Sequence, residues 1–317
     1  MKCLRSHTND PYFNLAAEEY LLKHFNETFY FQYVDAPSVV VGKHQNAMAE
    51  IDLGYLERHG INLARRISGG GAVYHDEGNL NYAFITNEKP GNLVRFGTYT
   101  APVIGMLNKL DVKAYLGKRN EILTPQGKIS GTASHVYKNR VLHHGTLLFD
   151  ADLEHLARCL YVDADHFTDK AVKSVRSDVV NISGLLSHRM EPAMFYDHLF
   201  DFMLSNSPEN REYNLSTQEI DAIRALSNEK FRQWEWNYGY SPRYQVKRET
   251  EGVRVRTSVD KGRITGIEIT GSGEKLQELN RLKAFLTGER HEREQVAALL
   301  RRHAENELVG YFLGVLF

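Results

Sequence analysis

The sequence predicts an α+β fold in two units, on three observations. Segments with strand character and segments with helix character are partly segregated along the chain rather than alternating, which disfavours a doubly wound parallel sheet. At 317 residues the chain exceeds what one compact unit usually holds. Around Tyr238–Pro242 the run Asn-Tyr-Gly-Tyr-Ser-Pro follows the aromatic cluster Phe231, Trp234 and Trp236, and a self-contained β-β-β-α-α pattern begins beyond it. The expected units are therefore 1–240 and 243–317.

In chain order, Asp10 and Pro11 open a helix as cap and first-turn proline, with Phe13, Ala17, Tyr20 and His24 on one side, running to Phe25. Thr28–Val34 and Ser38–Val41 are β-branched and aromatic runs around an Asp35-Ala36-Pro37 turn. A short capped helix from Asp52 to Gly60 leads into a strand over Ile61–Ile67. Gly69, Gly70 and Gly71 interrupt the pattern before strands at Ala72–His75 and Leu80–Thr86. Val112–Phe149 reads as short strands with turns at Pro125-Gln126-Gly127 and Lys138-Asn139-Arg140. Helices follow at Leu153–Leu160, Glu191–Ser205 and Thr217–Leu226, the last opened by a Ser216/Glu219 capping box. The second unit reads as strands Arg243–Thr250, Gly252–Val259 and Arg263–Thr270, then helices Glu274–Leu286 and Arg293–Glu305, with Gly288 stopping the first.

Composition narrows the function. Lys and Arg (39) nearly cancel Asp and Glu (40), against a dedicated nucleic-acid binder. Cys3 and Cys159 cannot build a disulfide framework or a multi-thiolate metal site, so a reducing, cytoplasmic setting is expected. The polar start carries no leader pattern, and no long apolar run predicts a membrane span.

Arg65–Asp76 reads RRISGGGAVYHD. Three consecutive glycines cost backbone entropy and give no packing, so the chain needs positive φ there or close approach to a ligand. Exposed amides in such a loop nest anionic oxygens, and two upstream arginines suit phosphate. A wide strand connection with solvated arginines is the plain alternative. Gln126–Ala133 (QGKISGTA) sets Lys128 between glycines, where it can place a point charge on a phosphate or carboxylate, although most lysines merely solvate a surface. It is neither a Walker loop nor a dinucleotide fingerprint. In His143–Phe149 (HHGTLLF), adjacent strand residues face opposite ways, so the two histidines cannot chelate one ion together. Ser174–Ser177 (SVRS) has the character of a mobile polar loop or of an ordinary turn.

Taken together, RRISGGGAVYHD, KISGTA and HHGTLL, in this order and spacing, resemble the lipoate–protein ligases. Asp10–Glu19 (DPYFNLAAEE), Val40–Asn46 (VVGKHQN), Gly117–Asn120 (GKRN), Ser174–Asn181 (SVRSDVVN) and Trp236–Gly239 (WNYG) extend the likeness over nearly the whole chain. The resemblance implies a catalytic domain with the fold shared by biotin ligases and class II tRNA-synthetase cores, plus a small α+β accessory domain. It implies activation of lipoate by MgATP to lipoyl-AMP and pyrophosphate, then transfer to a lysine on lipoyl domains of 2-oxo-acid dehydrogenase E2 subunits or on the glycine-cleavage H protein, with neither nucleic acid nor membrane as partner.

By the same match, Arg66, Gly71, Ala72, Val73 and Tyr74 would contact ATP, and Lys128 would touch both nucleotide and lipoate carboxylate as the catalytic residue. Ser68, Gly69, Gly70, His75, Gly131 and His144 would line the lipoate pocket. Asp165–Asn181, with Val175, Arg176 and Ser177, would fold over the adenylate. Asn120 and Glu121 stand where better-known ligases carry Asn-Asp, and the longer carboxylate weakens them as magnesium candidates. Two relatives of the same fold are the alternatives: a transferase fed with preformed lipoyl-AMP, and an octanoyl or lipoyl amidotransferase that needs a nucleophilic cysteine.

Overall fold

The computed structural model describes residues 1–89, 91, 93–161, 166–272 and 275–317. It divides into two compact units, Met1–Lys43 with Ile51–Tyr161 and Ser174–Gln233, and His44–Glu50 with Val162–Lys173 and Trp234–Phe317. The sequence-based boundary at Tyr238–Pro242 falls a few residues after the observed switch, because Trp234 already stacks on Tyr238 and lies against Gly262. Two short stretches from the middle of the chain also join the second unit, which local composition does not announce.

The first unit begins with β1 (Lys2–Arg5), α1 (Pro11–His24), β2 (Phe29–Val34), β3 (Ser38–Val41), α2 (Leu53–His59), β4 (Asn62–Arg65), β5 (Val73–His75) and β6 (Asn79–Asn87). It continues through α3 (Phe96–Lys109), β7 (Tyr115–Leu116), β8 (Ile122–Thr124), β9 (Gly127–Ser130), β10 (Thr132–Tyr137), β11 (Arg140–Leu148) and α4 (Leu153–Cys159). After β12 (Phe167–Asp169), which belongs to the second unit, it closes with α5 (Pro192–Ser205), β13 (Arg211–Glu212) and α6 (Thr217–Leu226). The caps are those the sequence announces: Asp10 accepts from the Tyr12 amide, Asp52 from Tyr55, and Ser216 with Glu219 forms the capping box.

Among the described residues the main sheet has the order β10-β11-β6-β2-β1-β13, with β1 parallel to both its neighbours and the other pairs antiparallel. A small sheet places β3 between β4 and β5, and a second joins β7, β8 and β9. Strand alternation gives the main sheet two unlike faces. Tyr30, Phe84 and Leu147 pack with Val103 and Leu107 of α3 and with Phe195 and Leu199 of α5 in an apolar core. Toward α1 the sheet is polar, with Tyr33 and His144 both bonded to Glu18.

α3 is absent from the sequence-based reading, since Pro102 interrupts its pattern. Burial of Val103, Met106 and Leu107 in the core outweighs the amide that proline lacks.

The second unit stacks β12, β14 (Tyr244–Thr250), β15 (Val253–Asp260) and β16 (Arg263–Gly271) in one antiparallel sheet. Val253, Val255 and Ile264 bury against α7 (Lys275–Leu282), α8 (Arg293–Leu300) and α9 (Asn306–Leu316). The sequence predicts helices over Glu274–Leu286 and Arg293–Glu305. Glu274 lies outside the described residues, the first helix tightens into a 3-10 turn at Lys283–Phe285, and the second stops at Leu300 to let α9 form. No helix among the described residues is long and apolar enough to cross a membrane.

Candidate functional site

The glycine segment leaves β4 and enters β5, and Arg66 holds it from inside. The guanidinium is buried and donates through Nε to Ser68 Oγ (3.1 Å), through Nη1 to the Val40 carbonyl (2.9 Å), and through Nη2 to the carbonyls of Gly69 and Gly71 (2.7 Å each). Burial lowers its pKa to about 10, with Glu18 pulling the other way, so it stays charged at neutral pH. Most of its donors are thus spent on the loop itself. Arg65 is buried beside it, donating to the Gly42 and Lys43 carbonyls.

The glycines differ in what they require. Gly70 sits at φ 91°, a left-handed conformation that side chains resist. Gly71 needs space, because a Cβ there would lie 2.9 Å from Ser174 Oγ and 3.2 Å from Ser174 Cα. Gly69 meets nothing within 4 Å. Next to them the Ala72 amide donates to Ser174 Oγ (2.9 Å), which brings the Ser174–Ser177 segment onto the loop. Val175 is largely exposed, Arg176 lies over the Tyr161 ring, and Ser177 Oγ accepts from Arg119. The backbone beyond is tied down more firmly: Lys128 N donates to Asp178 O and Val180 N to Lys128 O. Asp165, at the start of the loop expected over the adenylate, lies outside the described residues.

Lys128 projects from β9 toward Gly131, whose Cβ position would be 3.5 Å from Nζ. Burial holds its amine below the usual lysine range. Glu121 opposes that shift, while Arg119 and Arg66 reinforce it. The amine therefore lies in the field of the guanidinium under the glycine loop. Ala133, two residues beyond Gly131, is 4.0 Å from the Cβ position of Gly70. Strand β10 thus joins the lysine side of the site to the loop side.

His144 and His143 face opposite ways, as strand alternation requires. His143 stacks on Tyr99 of α3, and burial takes its imidazole down to about 4. His144 Nε2 is 2.6 Å from Ser68 Oγ, and its Nδ1 is 2.9 Å from both Glu18 oxygens. Tyr33 donates to the same carboxylate (3.1 Å). One tautomer completes this chain: Nδ1–H donates to Glu18, Nε2 accepts from Ser68, and Ser68 accepts from Arg66. The result is a buried run Tyr33–Glu18–His144–Ser68–Arg66 that ends on the glycine loop.

His75 belongs to a second buried cluster. Its Nδ1 is 2.8 Å from Asp35 Oδ2, Asp35 Oδ1 accepts from Asn14 (2.8 Å), and His75 Nε2 has no partner among the described residues. The Tyr74 ring, one residue earlier, packs against His155 of α4 on the other side of β5. At the Gly117–Glu121 turn, Asn120 adopts φ 65° and Glu121 Oε2 accepts from the Arg119 amide (2.7 Å). Among the described residues no group of three or more His, Cys, Asp and Glu side chains is placed to hold a metal ion.

Sequence reasoning gave no site role to Glu18, Tyr33, Asp35 or Asn14. The available signal was Asn14 and Glu18 four residues apart in DPYFNLAAEE, two polar side chains on a helix face that also carries Leu21 and Leu22.

Comparison with known proteins sets this arrangement in context. The family profile "Lipoyl protein ligase A/B catalytic domain" matches residues 10–203. Lipoate-protein ligase LplJ of Bacillus subtilis is 38% identical over 300 residues, covering 92% of this chain and 91% of that protein. A solved lipoate-protein ligase A bound with ATP superposes with a TM-score of 0.63 at 26% identity, covering 75% of this chain and 98% of the other. The bipartite lipoate protein ligase of Thermoplasma acidophilum, described with its E2 lipoyl domain, gives a TM-score of 0.64 at 25% identity over 79% of this chain and 98% of that one.

Proposed function

The chain belongs to the lipoate–protein ligase family, and from that premise we propose that it joins lipoate to a lysine of lipoyl domains in two steps through an adenylate. The observation that carries the reading is Lys128, a partly buried amine beside one glycine-walled loop, in the field of Arg66 and with Glu121 as the carboxylate opposing its shift. Arg66 is answered by the loop carbonyls and Glu18, whereas the Lys128 ammonium is best satisfied by an anion that arrives as ligand.

In the first step a lipoate carboxylate oxygen attacks the α-phosphorus of ATP and pyrophosphate leaves. Such a reaction asks for in-line placement and charge stabilisation rather than a protein nucleophile. Lys128 gathers the lipoate carboxylate and an α-phosphate oxygen, and fixed donors of this kind are worth about 3–4 kcal/mol each in barrier lowering. Amides of Gly71, Ala72 and Val73 hold phosphate oxygens, the Ala72 amide giving up its bond to Ser174 Oγ to do so, while Arg66 acts chiefly by fixing the carbonyls of Gly69 and Gly71. The Ser174–Ser177 segment covers the adenylate and keeps water from it. The lipoyl chain lies along the polar face of the main sheet beside Ser68 and His144. Ala133 and Ala83 flank His144 in register there and leave room for an apolar tail. A magnesium ion brought by the nucleotide would screen phosphate charge, and Glu121, whose Oε2 already accepts from the Arg119 amide, would be the carboxylate toward it.

In the second step the acceptor lysine amine attacks the mixed anhydride and AMP leaves. Acceptors are lipoyl domains, with those of 2-oxo-acid dehydrogenase E2 subunits and the glycine-cleavage H protein as the specific candidates. The reading includes a cytoplasmic setting, where both cysteines stay reduced. A thioester route is disfavoured: Cys3 and Cys159 are buried, and burial raises both thiols, Cys159 to about 12.

The test is lipoate-dependent ATP–pyrophosphate exchange on the purified chain. Exchange is expected in the wild type and lost in Lys128→Ala with the fold retained. Wild-type transfer from supplied lipoyl-AMP without any exchange would make the protein a transferase instead.

A further inference from the structure

Strand β10 ends the main sheet, and among the described residues nothing pairs with its outer side. An open strand edge is a template for another chain unless it is guarded. Here the strand starts beside the proposed reaction centre, since a Cβ at Gly131 would lie 3.5 Å from Lys128 Nζ and one at Gly70 4.0 Å from Ala133. It then runs outward past His135, an exposed Val136 and Tyr137. Six residue steps from Gly131 to Tyr137 span about 20 Å, the scale of one face of a small domain.

The far end of this edge is basic. Lys23 and Lys138 both lie over the Tyr137 ring, at 5.5 and 5.3 Å. Lys43, Lys230 and Lys23 all act on His135 and lower its affinity for a proton, after burial. Against these four lysines stands Glu19, whose carboxylate is already engaged by Lys23 and Lys230 at 2.5 Å each. In a chain with a net charge of −1 this is a local concentration of positive charge.

We propose that the β10 edge with its lysine rim is the docking surface for the acceptor protein, which adds a strand to the sheet and presents an acidic face, so that its target lysine reaches the Lys128 end. Backbone pairing along an edge gives affinity, and the charged rim gives orientation and encounter rate. The inference rests on the ligase reading above and names where its second substrate sits.

The test uses the full chain with K138E and K23Q, singly and together, and measures transfer from supplied lipoyl-AMP to a lipoyl domain. The pair should raise the acceptor KM roughly tenfold at low salt, with kcat and ATP–pyrophosphate exchange unchanged. Should the pair also lose exchange, K138E alone, on an exposed turn, decides by a KM rise of about threefold. Adding a lipoyl domain whose target lysine is replaced by arginine should protect the amides of 132–137 from hydrogen exchange. An unchanged acceptor KM, or protection confined to other segments, overturns the docking surface while leaving the ligase reading intact. Absence of both exchange and transfer in the wild type overturns both.

Discussion

Replacing Arg66 with lysine separates two roles that the same side chain could play. The guanidinium reaches four acceptors at once, namely Ser68 Oγ and the carbonyls of Val40, Gly69 and Gly71. A lysine ammonium keeps the charge but, on a flexible stem, can satisfy no more than about two of them. Two buried acceptors are then left without a donor, at about 1–3 kcal/mol each. A loss near 4 kcal/mol is expected, which lowers Tm by roughly 10 °C for a unit of this size. Calorimetry of R66K should show that shift. Exchange kinetics should show KM rising for ATP and lipoate together, because the loop proposed to touch both substrates has lost its brace. A Tm within a degree or two of wild type, with only the ATP KM raised, would refute the argument and make Arg66 a simple phosphate ligand.

Other consequences are open to measurement. Gly71→Ala drives a methyl group against the Ser174 backbone, so adenylate formation should fall roughly ten- to a hundredfold while Tm changes little. In the second unit His291 is wedged between the Tyr244 hydroxyl (2.7 Å) and the Leu316 carbonyl (2.9 Å), and burial takes its pKa from 6.5 to about 4. The unfolded imidazole therefore binds its proton first as pH falls. Stability is unaffected by this group above about pH 6.5, and by pH 4 up to about 3 kcal/mol has been lost. Acid titration of His291→Gln should flatten that slope, and an unchanged slope would assign it to another group.

Legibility in the sequence followed locality. The caps at Asp10, Asp52 and Ser216, and the turns before Gly127 and at Lys138, each depend on a few neighbouring residues, and each is found where the pattern places it. α3 was hidden because Pro102 masks a helix that tertiary burial stabilises, and α9 because Gly310 and Gly314 lower the helix propensity of a largely apolar run, although Val309, Phe312, Leu313 and Leu316 recur at helical spacing. The site divides in the same way. Three consecutive glycines announce a loop of special backbone from sequence alone, and Gly70 at φ 91° bears that out. That Glu18 of α1 would meet His144 of β11, 126 positions away, follows only from the register of β11 with β6 and from α1 lying over that face. The boundary between the units was blurred for a like reason, since His44–Glu50 joins the second unit through space rather than through the chain.

The buried run from Tyr33 to Arg66 also constrains how this protein can drift over generations. Each member supplies a hydrogen to the next or takes one from it, so altering one alone strands its neighbour in a dry interior. Replacement at Glu18 should be tolerated chiefly in step with a change at His144, and serine at position 68 should persist only while both flanking groups do. A library randomised at these positions and selected for growth on lipoate should return its survivors as matched sets.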